Sequence, residues 1–197
     1  MRTAERLFAR HGIDAVSLNE IVHAAKTNAA AIHYHFGNRQ GLIEAMVQKR
    51  QAAWGTVGHR MIAELEAKPE VTAHEVVAVM VEPIAALRAQ PWGHDYIRFI
   101  SELASHRRYA VILHHSADEH TIAYVKQLER ITPGMPDDIR LARYAYLRRF
   151  VYDAVAAGDE RVAMWLDSMG QSPAGWTTGD FIDMLTGAMT APVSSID

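Results

Sequence analysis

Apolar residues recur at helical spacing along almost the whole chain, and nowhere do they alternate with polar residues as a half-buried strand requires. No Asn-Gly or Asp-Gly hairpin signal interrupts the pattern. That regularity predicts an all-α fold and leaves no sequence basis for a sheet. The 197 residues allow one large domain or two small ones. A 49% hydrophobic and 22% charged composition is that of a packed protein, which excludes wholesale disorder. No uncharged stretch reaches the ~20 apolar residues of a membrane-spanning helix, and no apolar signal core follows Met1. With no cysteine there is no disulfide scaffold, thiol nucleophile or thiolate metal site, and a cytoplasmic setting is expected.

Local stop and start signals divide the first fifty residues into short helices. A first helix runs from about Arg2 to Arg10, with Leu7 and Phe8 inward and Gly12 as its stop. Ser17-Leu18-Asn19-Glu20 has the form of a capping box and opens a second, carrying Leu18, Ile21, Val22 and Ala25 on one face. Asn28 caps a third that ends near Phe36, and a long helix starts at Arg39, burying Leu42, Ile43, Met46 and Val47. The second and third helices, joined by a tight turn, match a helix-turn-helix, in which one helix braces the other so that its N-terminal residues enter the major groove. Charge agrees with this division. Residues 1–50 carry seven Lys/Arg against four acids, a net +3, while the remaining 147 carry 13 against 19, a net −6.

Beyond Trp54 the helices lengthen. Lys68-Pro69 breaks the long one, and Val71 to about Ala89 reads as the next, kinked at Pro83. Asp95–Ser105 places Tyr96, Phe99, Ile100 and Leu103 inward, and Arg107–Ile131 is helical in pattern, with an interruption near Ser116. After the linker Thr132–Pro136, a helix from Asp137 to about Ala157 carries more than one apolar stripe and so needs two burial partners. A last helix runs from Thr178 to about Met189, with Phe181, Leu185, Ala188 and Met189 on one face.

Leu7-Phe8-Ala9-Arg10-His11-Gly12, Ser17-Leu18-Asn19-Glu20-Ile21, Ala24-Ala25 and Ala31-Ile32-His33-Tyr34-His35-Phe36-Gly37-Asn38-Arg39, with Leu42, resemble the tetracycline-repressor (TetR) family of bacterial regulators. The resemblance covers roughly residues 1–50. It implies a helix-turn-helix DNA-binding domain over 1–45 and a helical ligand-binding and dimerisation domain over 46–197. The partners implied are an operator duplex, a small-molecule effector and a second copy of the chain, with no cofactor. Ser17, Tyr34, His35 and Arg39 fall where the family contacts the sugar-phosphate backbone. Asn28, Ala29, Ala30 and His33 occupy the front of the recognition helix, as base-reading candidates. Lys26 stands where the family often has glycine; a left-handed backbone there costs about 1–2 kcal/mol, and a phosphate contact is the expected compensation. The recognition helix carries no Arg or Lys, and the first helix starts later than is usual, without a basic arm. That late start implies either missing minor-groove arm contacts or a coding start further upstream.

Met61, Met80, Trp92, Tyr96, Phe99 and Tyr144 are candidates for lining an effector cavity, although plain helical core explains each one more simply. Phe150, Ala154, Phe181, Leu185 and Met189 are the expected dimer-interface residues, on two helices suited to a four-helix bundle. His114/Asp118 and His115/Glu119 have metal-ligand spacing but point in different directions and lack a third ligand, so they read as a solvated segment and no metal is assigned. Arg107-Arg108 and Arg148-Arg149 read as solvated or intersubunit ion pairs. No catalytic constellation is present: the chain lacks a nucleophile elbow, a dinucleotide fingerprint and a phosphate loop. Two rival readings are a helical interaction protein whose head has lost DNA binding, and a carboxylate-bundle metalloenzyme. The second needs Glu-x-x-His pairs, and none occurs.

Overall fold

The computed structural model describes residues 1–114, 119–157, 160–170 and 177–194, and among these there are α-helices and no strand. In chain order the helices are α1 (Arg2–His11), α2 (Leu18–Ala24), α3 (Ala29–Phe36), α4 (Arg39–Glu66), α5 (Ala73–Ala86), α6 (Gly93–Ser105), α7 (Val111–His114), α8 (Glu119–Ile131), α9 (Asp137–Ala157), α10 (Glu160–Ser168) and α11 (Thr178–Thr190). None is long and apolar enough to cross a membrane. The protein is all-α, with an N-terminal helix-turn-helix and a helical C-terminal part.

Packing groups the chain into two compact units, 1–56 with 86–116, and 57–85 with 117–197. Compactness alone places 86–116 with the N-terminal helices.

In the first unit, α1 ends at Gly12, whose φ of 84° is open to a residue without Cβ and whose N–H bonds the Phe8 carbonyl. The inward face of α1 carries Ala4 and Phe8 against α6, where Phe8 stacks on Phe99 at 5.9 Å between ring centroids. The same face carries Glu5, which is 1% exposed. Its carboxylate accepts two hydrogen bonds from Arg50 of α4, from Nε at 2.9 Å and Nη2 at 2.6 Å. The Trp92 indole covers the other side of that guanidinium, 3.8 Å from its centre. Desolvating two charges is costly, but bidentate pairing and the aromatic face offset the loss of water. The start of α6 fits closely: a Cβ on Gly93 would lie 1.6 Å from the Leu87 carbonyl oxygen.

The second unit closes its chain reversals with arginines. Arg130 donates to the carbonyls of Leu65, Lys68 and Pro69, where the chain leaves the end of α4. Arg140 binds the Thr132 hydroxyl oxygen, the Met135 carbonyl and Asp137 across the α8–α9 turn. Arg143 donates to the Met189 carbonyl in the last turn of α11 and to those of Ala191 and Pro192 just after it.

Several elements depart from the sequence reading. Residues 107–110 form a turn, because Nδ1 of His106 accepts from the Arg108 and Tyr109 amides and ends α6. Residue 116, where an interruption was expected, lies outside the described residues. The α5 helix stops at Ala86 and tightens into a 3₁₀ turn at Leu87–Ala89. Helix α10 was not expected at all, although Val162, Trp165 and Leu166 fall at helical spacing. On α11, Ile182 is buried and Ala188 is exposed.

Three of the five expected dimer-face residues lie inside the chain itself. Phe181, Leu185 and Met189 are buried within one chain, where α11 packs on α9. A side chain that fills its own subunit's core offers no area to a partner. Phe150 is exposed beside Phe181, at 5.7 Å between rings, and Ala154 is half-buried.

Arg50→Met, which strands the Glu5 carboxylate in the core, is expected to cost about 3–5 kcal/mol in denaturant unfolding, and pairing it with Glu5→Leu should recover most of that loss.

Candidate nucleic-acid interface

Helices α2 and α3 are joined by a turn whose hydrogen bonds form a Schellman motif. The Lys26 amide bonds the His23 carbonyl and the Thr27 amide reaches back to Val22. This motif needs a left-handed residue after the helix cap, and Lys26 supplies it at φ 50°, the one non-glycine residue at positive φ among those described. The strain anticipated at this position is therefore present. The turn's own hydrogen bonds maintain it, and the side chain is exposed.

The capping box at the start of α2 forms in full. Ser17 Oγ accepts from the Glu20 amide at 3.1 Å, and Glu20 accepts from the Ser17 amide at 2.6 Å. Those hydrogen bonds to Ser17, backbone first and then hydroxyl, hold the Glu20 carboxyl below its ordinary value of 4.5. The Ser17 amide and hydroxyl both serve the Glu20 carboxylate, which takes the donors that a phosphate would otherwise use. Ser17 is thus first a cap and second a backbone-contact candidate.

Helix α3 rests on α2 through a single buried anchor, Ile32, and the rest of it faces outward or is half-buried. Asn28, Ala29, Ala30, His33, Tyr34 and His35 are all exposed, Tyr34 to 85%. The hydrogen bonds they already make define what each can still offer. Asn28 Oδ1 caps the helix by accepting from the Ala31 amide at 2.6 Å, so its NH₂ group points its donors outward. His33 Nδ1 lies 2.9 Å from the Gly37 carbonyl oxygen, which can only accept. The proton therefore sits on Nδ1, and Nε2 of the neutral ring is an outward acceptor. Tyr34 stands edge-on to His35 at 5.2 Å between rings.

Arg39 is half-buried and donates from Nη1 to the Ile13 carbonyl, tying the start of α4 to the α1–α2 turn. Its expected phosphate contact has to share the side chain with this structural bond. Asp14, in the same turn, accepts from His106 Nε2 at 3.1 Å. No local sequence signal foretells these ties, because their partners lie 26 and 92 residues apart.

The effector-cavity candidates fall in both units. Trp92, Tyr96 and Phe99 form one aromatic run in the first, with neighbouring rings 5.9 and 6.2 Å apart, and Arg50 and Phe8 close its two ends. Met61, Met80 and Tyr144 belong to the second; Met80 is buried and Tyr144 lies 5.4 Å from Tyr124. Of the histidine and acid segment 114–120, residues 115–118 lie outside the described residues.

Comparison with known proteins agrees with this geometry. Residues 1–46 match the family model described as bacterial regulatory proteins, tetR family. Over 90 residues the chain is 30% identical to the probable acrEF/envCD operon repressor of Escherichia coli K12, and equally to the protein of that name in Escherichia coli O157:H7. Each alignment covers 46% of this chain and 41% of the relative, so the chain spans about two-fifths of the length of the curated relatives it matches. Among solved structures, a probable transcriptional regulatory protein, RHA5900, aligns over 98% of this chain and 96% of its own, with a TM-score of 0.51 at 13% identity. That likeness is one of fold.

Lys26→Gly is expected to relieve the left-handed strain and raise stability by about 1 kcal/mol, read from thermal unfolding. The depressed Glu20 carboxyl makes the α2 cap pH-dependent. Its contribution is complete above about pH 4.5 and is lost as pH falls through the lower folded value. Glu20→Gln should flatten that acid limb in helix content followed by circular dichroism.

Proposed function

We propose that this chain is a transcriptional regulator that binds a near-palindromic operator as a homodimer, represses by default, and is released when a small effector binds among the helices beyond residue 45. The observation that carries the reading is the front of α3: four exposed residues on a short helix braced by α2, with a donor at Asn28 and an acceptor at His33. In the major groove the Asn28 NH₂ group suits N7 or O6 of guanine, N7 of adenine or O4 of thymine. His33 Nε2 suits an amino group of adenine or cytosine, and the Ala29 and Ala30 methyls suit the thymine methyl. Tyr34, His35, Lys26 and Ser17 flank this front as sugar-phosphate contacts. The tetR-family match over residues 1–46 and the relatives named as operon repressors support the same reading.

One recognition helix reads only a few base pairs, so two-fold pairing supplies the length of a specific site. The surface offered to a second copy combines Ala142, Tyr146 and Phe150 of α9 with Met184, Gly187 and Ala188 of α11, all exposed. On α9 the members lie four residues apart, and on α11 Gly187 and Ala188 lie three and four residues after Met184, so each set shares a face, and the small residues allow close helix approach. Release requires an effector that prefers the DNA-incompetent state; equal affinity for both states would shift nothing. Helix α4, unbroken from Arg39 to Glu66, is the element through which that preference reaches the operator.

Footprinting on the DNA upstream of the protein's own gene is expected to give two protected half-sites about one helical turn apart. Asn28→Ser keeps a capping oxygen but removes the amide donor, so it should change base preference at one position by about 1–3 kcal/mol and leave helix content alone. Tyr34→Phe should weaken binding to all sequences alike. Phe150→Glu should yield a monomer in sedimentation and abolish specific binding. Protection that ignores sequence, or a wild-type monomer, would overturn the reading.

A further inference from the structure

The reading helix has no Lys or Arg between Asn28 and Phe36, so the charge that holds a polyanion has to come from elsewhere on the head. Two of the head's cations are engaged internally, Arg50 with buried Glu5 and Arg39 with the Ile13 carbonyl. Of the remaining five, three stand in one row on α1: Arg2, Arg6 and Arg10, at i, i+4 and i+8. All three are exposed, and among the described residues none is in an ion pair, side-chain hydrogen bond or ring contact. The one acid on α1, Glu5, faces the core.

This row works against its own helix. Side chains four apart are neighbours, and like charges there repel. Arg2 also places a cation in the first turn, at the positive end of the helix dipole. A surface chosen for solubility would intersperse the signs. Local conflict of this kind marks positions where an outside partner settles the electrostatics.

We propose that the exposed face of α1 is a docking surface for the phosphodiester backbone of duplex DNA beside the bases that α3 reads. The proposal rests on the DNA-binding reading above and deepens it. With a rise of 1.5 Å per residue, the three guanidinium groups are spaced about 6 Å apart along the axis and span about 12 Å. Over that length a duplex presents about seven phosphate charges. Guanidinium forks match phosphate oxygens in pairs, so one row on one short helix makes several charge-assisted contacts without ordering any other segment.

The test uses the full chain and a mixed-sequence 40-base-pair duplex, with affinity measured across a range of salt. Relative to wild type, Arg2→Gln/Arg6→Gln/Arg10→Gln should make the slope of log affinity against log salt shallower by about 0.9 for each arginine removed per bound protomer. Its thermal midpoint should stay equal or rise, because self-repulsion is removed. Arg6→Gln alone should give about a third of the slope change, and replacing all three arginines by lysine should keep most of the slope. An unchanged slope in the triple variant beside normal wild-type binding overturns the α1 surface and leaves the DNA-binding reading standing. A wild-type protein with no salt-dependent duplex binding overturns both. Phosphatidylserine vesicles serve as a second probe. Vesicle binding that the triple variant loses, with duplex binding intact, would reassign the row to a membrane and overturn the proposal.

Discussion

The first unit depends on a guanidinium held out of water. Arg50 lies between the Glu5 carboxylate and the Trp92 indole, and these side chains come from α4, α1 and the residue just before α6. A buried ion pair adds little net stability compared with apolar packing, but it tolerates few geometries, because a displaced partner leaves an uncompensated charge. The carboxylate accepts from Nε and Nη2 together, which fixes orientation as well as distance. Eleven residues earlier on the same helix, Arg39 is bonded to the Ile13 carbonyl. At about 3.6 residues per turn these two ties lie some three turns apart, so α1 and its following turn are held to α4 at two separated points. A frame fixed in this way is what an eight-residue reading helix with one buried anchor requires.

Much of this head was legible because its signals are local. Gly12 stops α1, Ser17 and Glu20 cap α2, and Asn28 caps α3, and each acts through hydrogen bonds within five residues of itself. The backbone of Lys26 was foreseeable for the same reason, since a tight turn between two helices needs a left-handed residue and no glycine is at hand. Long-range pairings were not legible. Glu5 sits on a helix among arginines, and only the fold shows that its partner is Arg50, 45 residues on. Arg130, Arg140 and Arg143 resemble surface charges in sequence, yet each donates to backbone carbonyls where the chain turns between helices or leaves one. Periodicity likewise shows that a face is buried but not what covers it. Phe181, Leu185 and Met189 were correctly placed on one stripe of α11, and that stripe faces α9 of the same chain.

The chemistry along α3 separates two tasks that a cationic recognition helix combines. Attraction to phosphate is the same for every sequence, so a lysine or arginine at the reading surface strengthens wrong sites along with right ones unless its geometry selects guanine. On the proposed reading the base edges meet no Lys or Arg, but an amide donor at Asn28, an imidazole at His33, and two methyl groups between them. The Asn28 and His33 side chains each already bond to nearby backbone, which fixes their orientation before any partner arrives and lowers the entropy that recognition would otherwise cost. On that same proposed reading, discrimination comes from unpaired donors and acceptors at mismatched bases, while attraction comes from cations off the reading helix. Moving charge away from the base edges therefore raises the ratio of specific to non-specific affinity, the quantity that selects one site among the many that a genome offers.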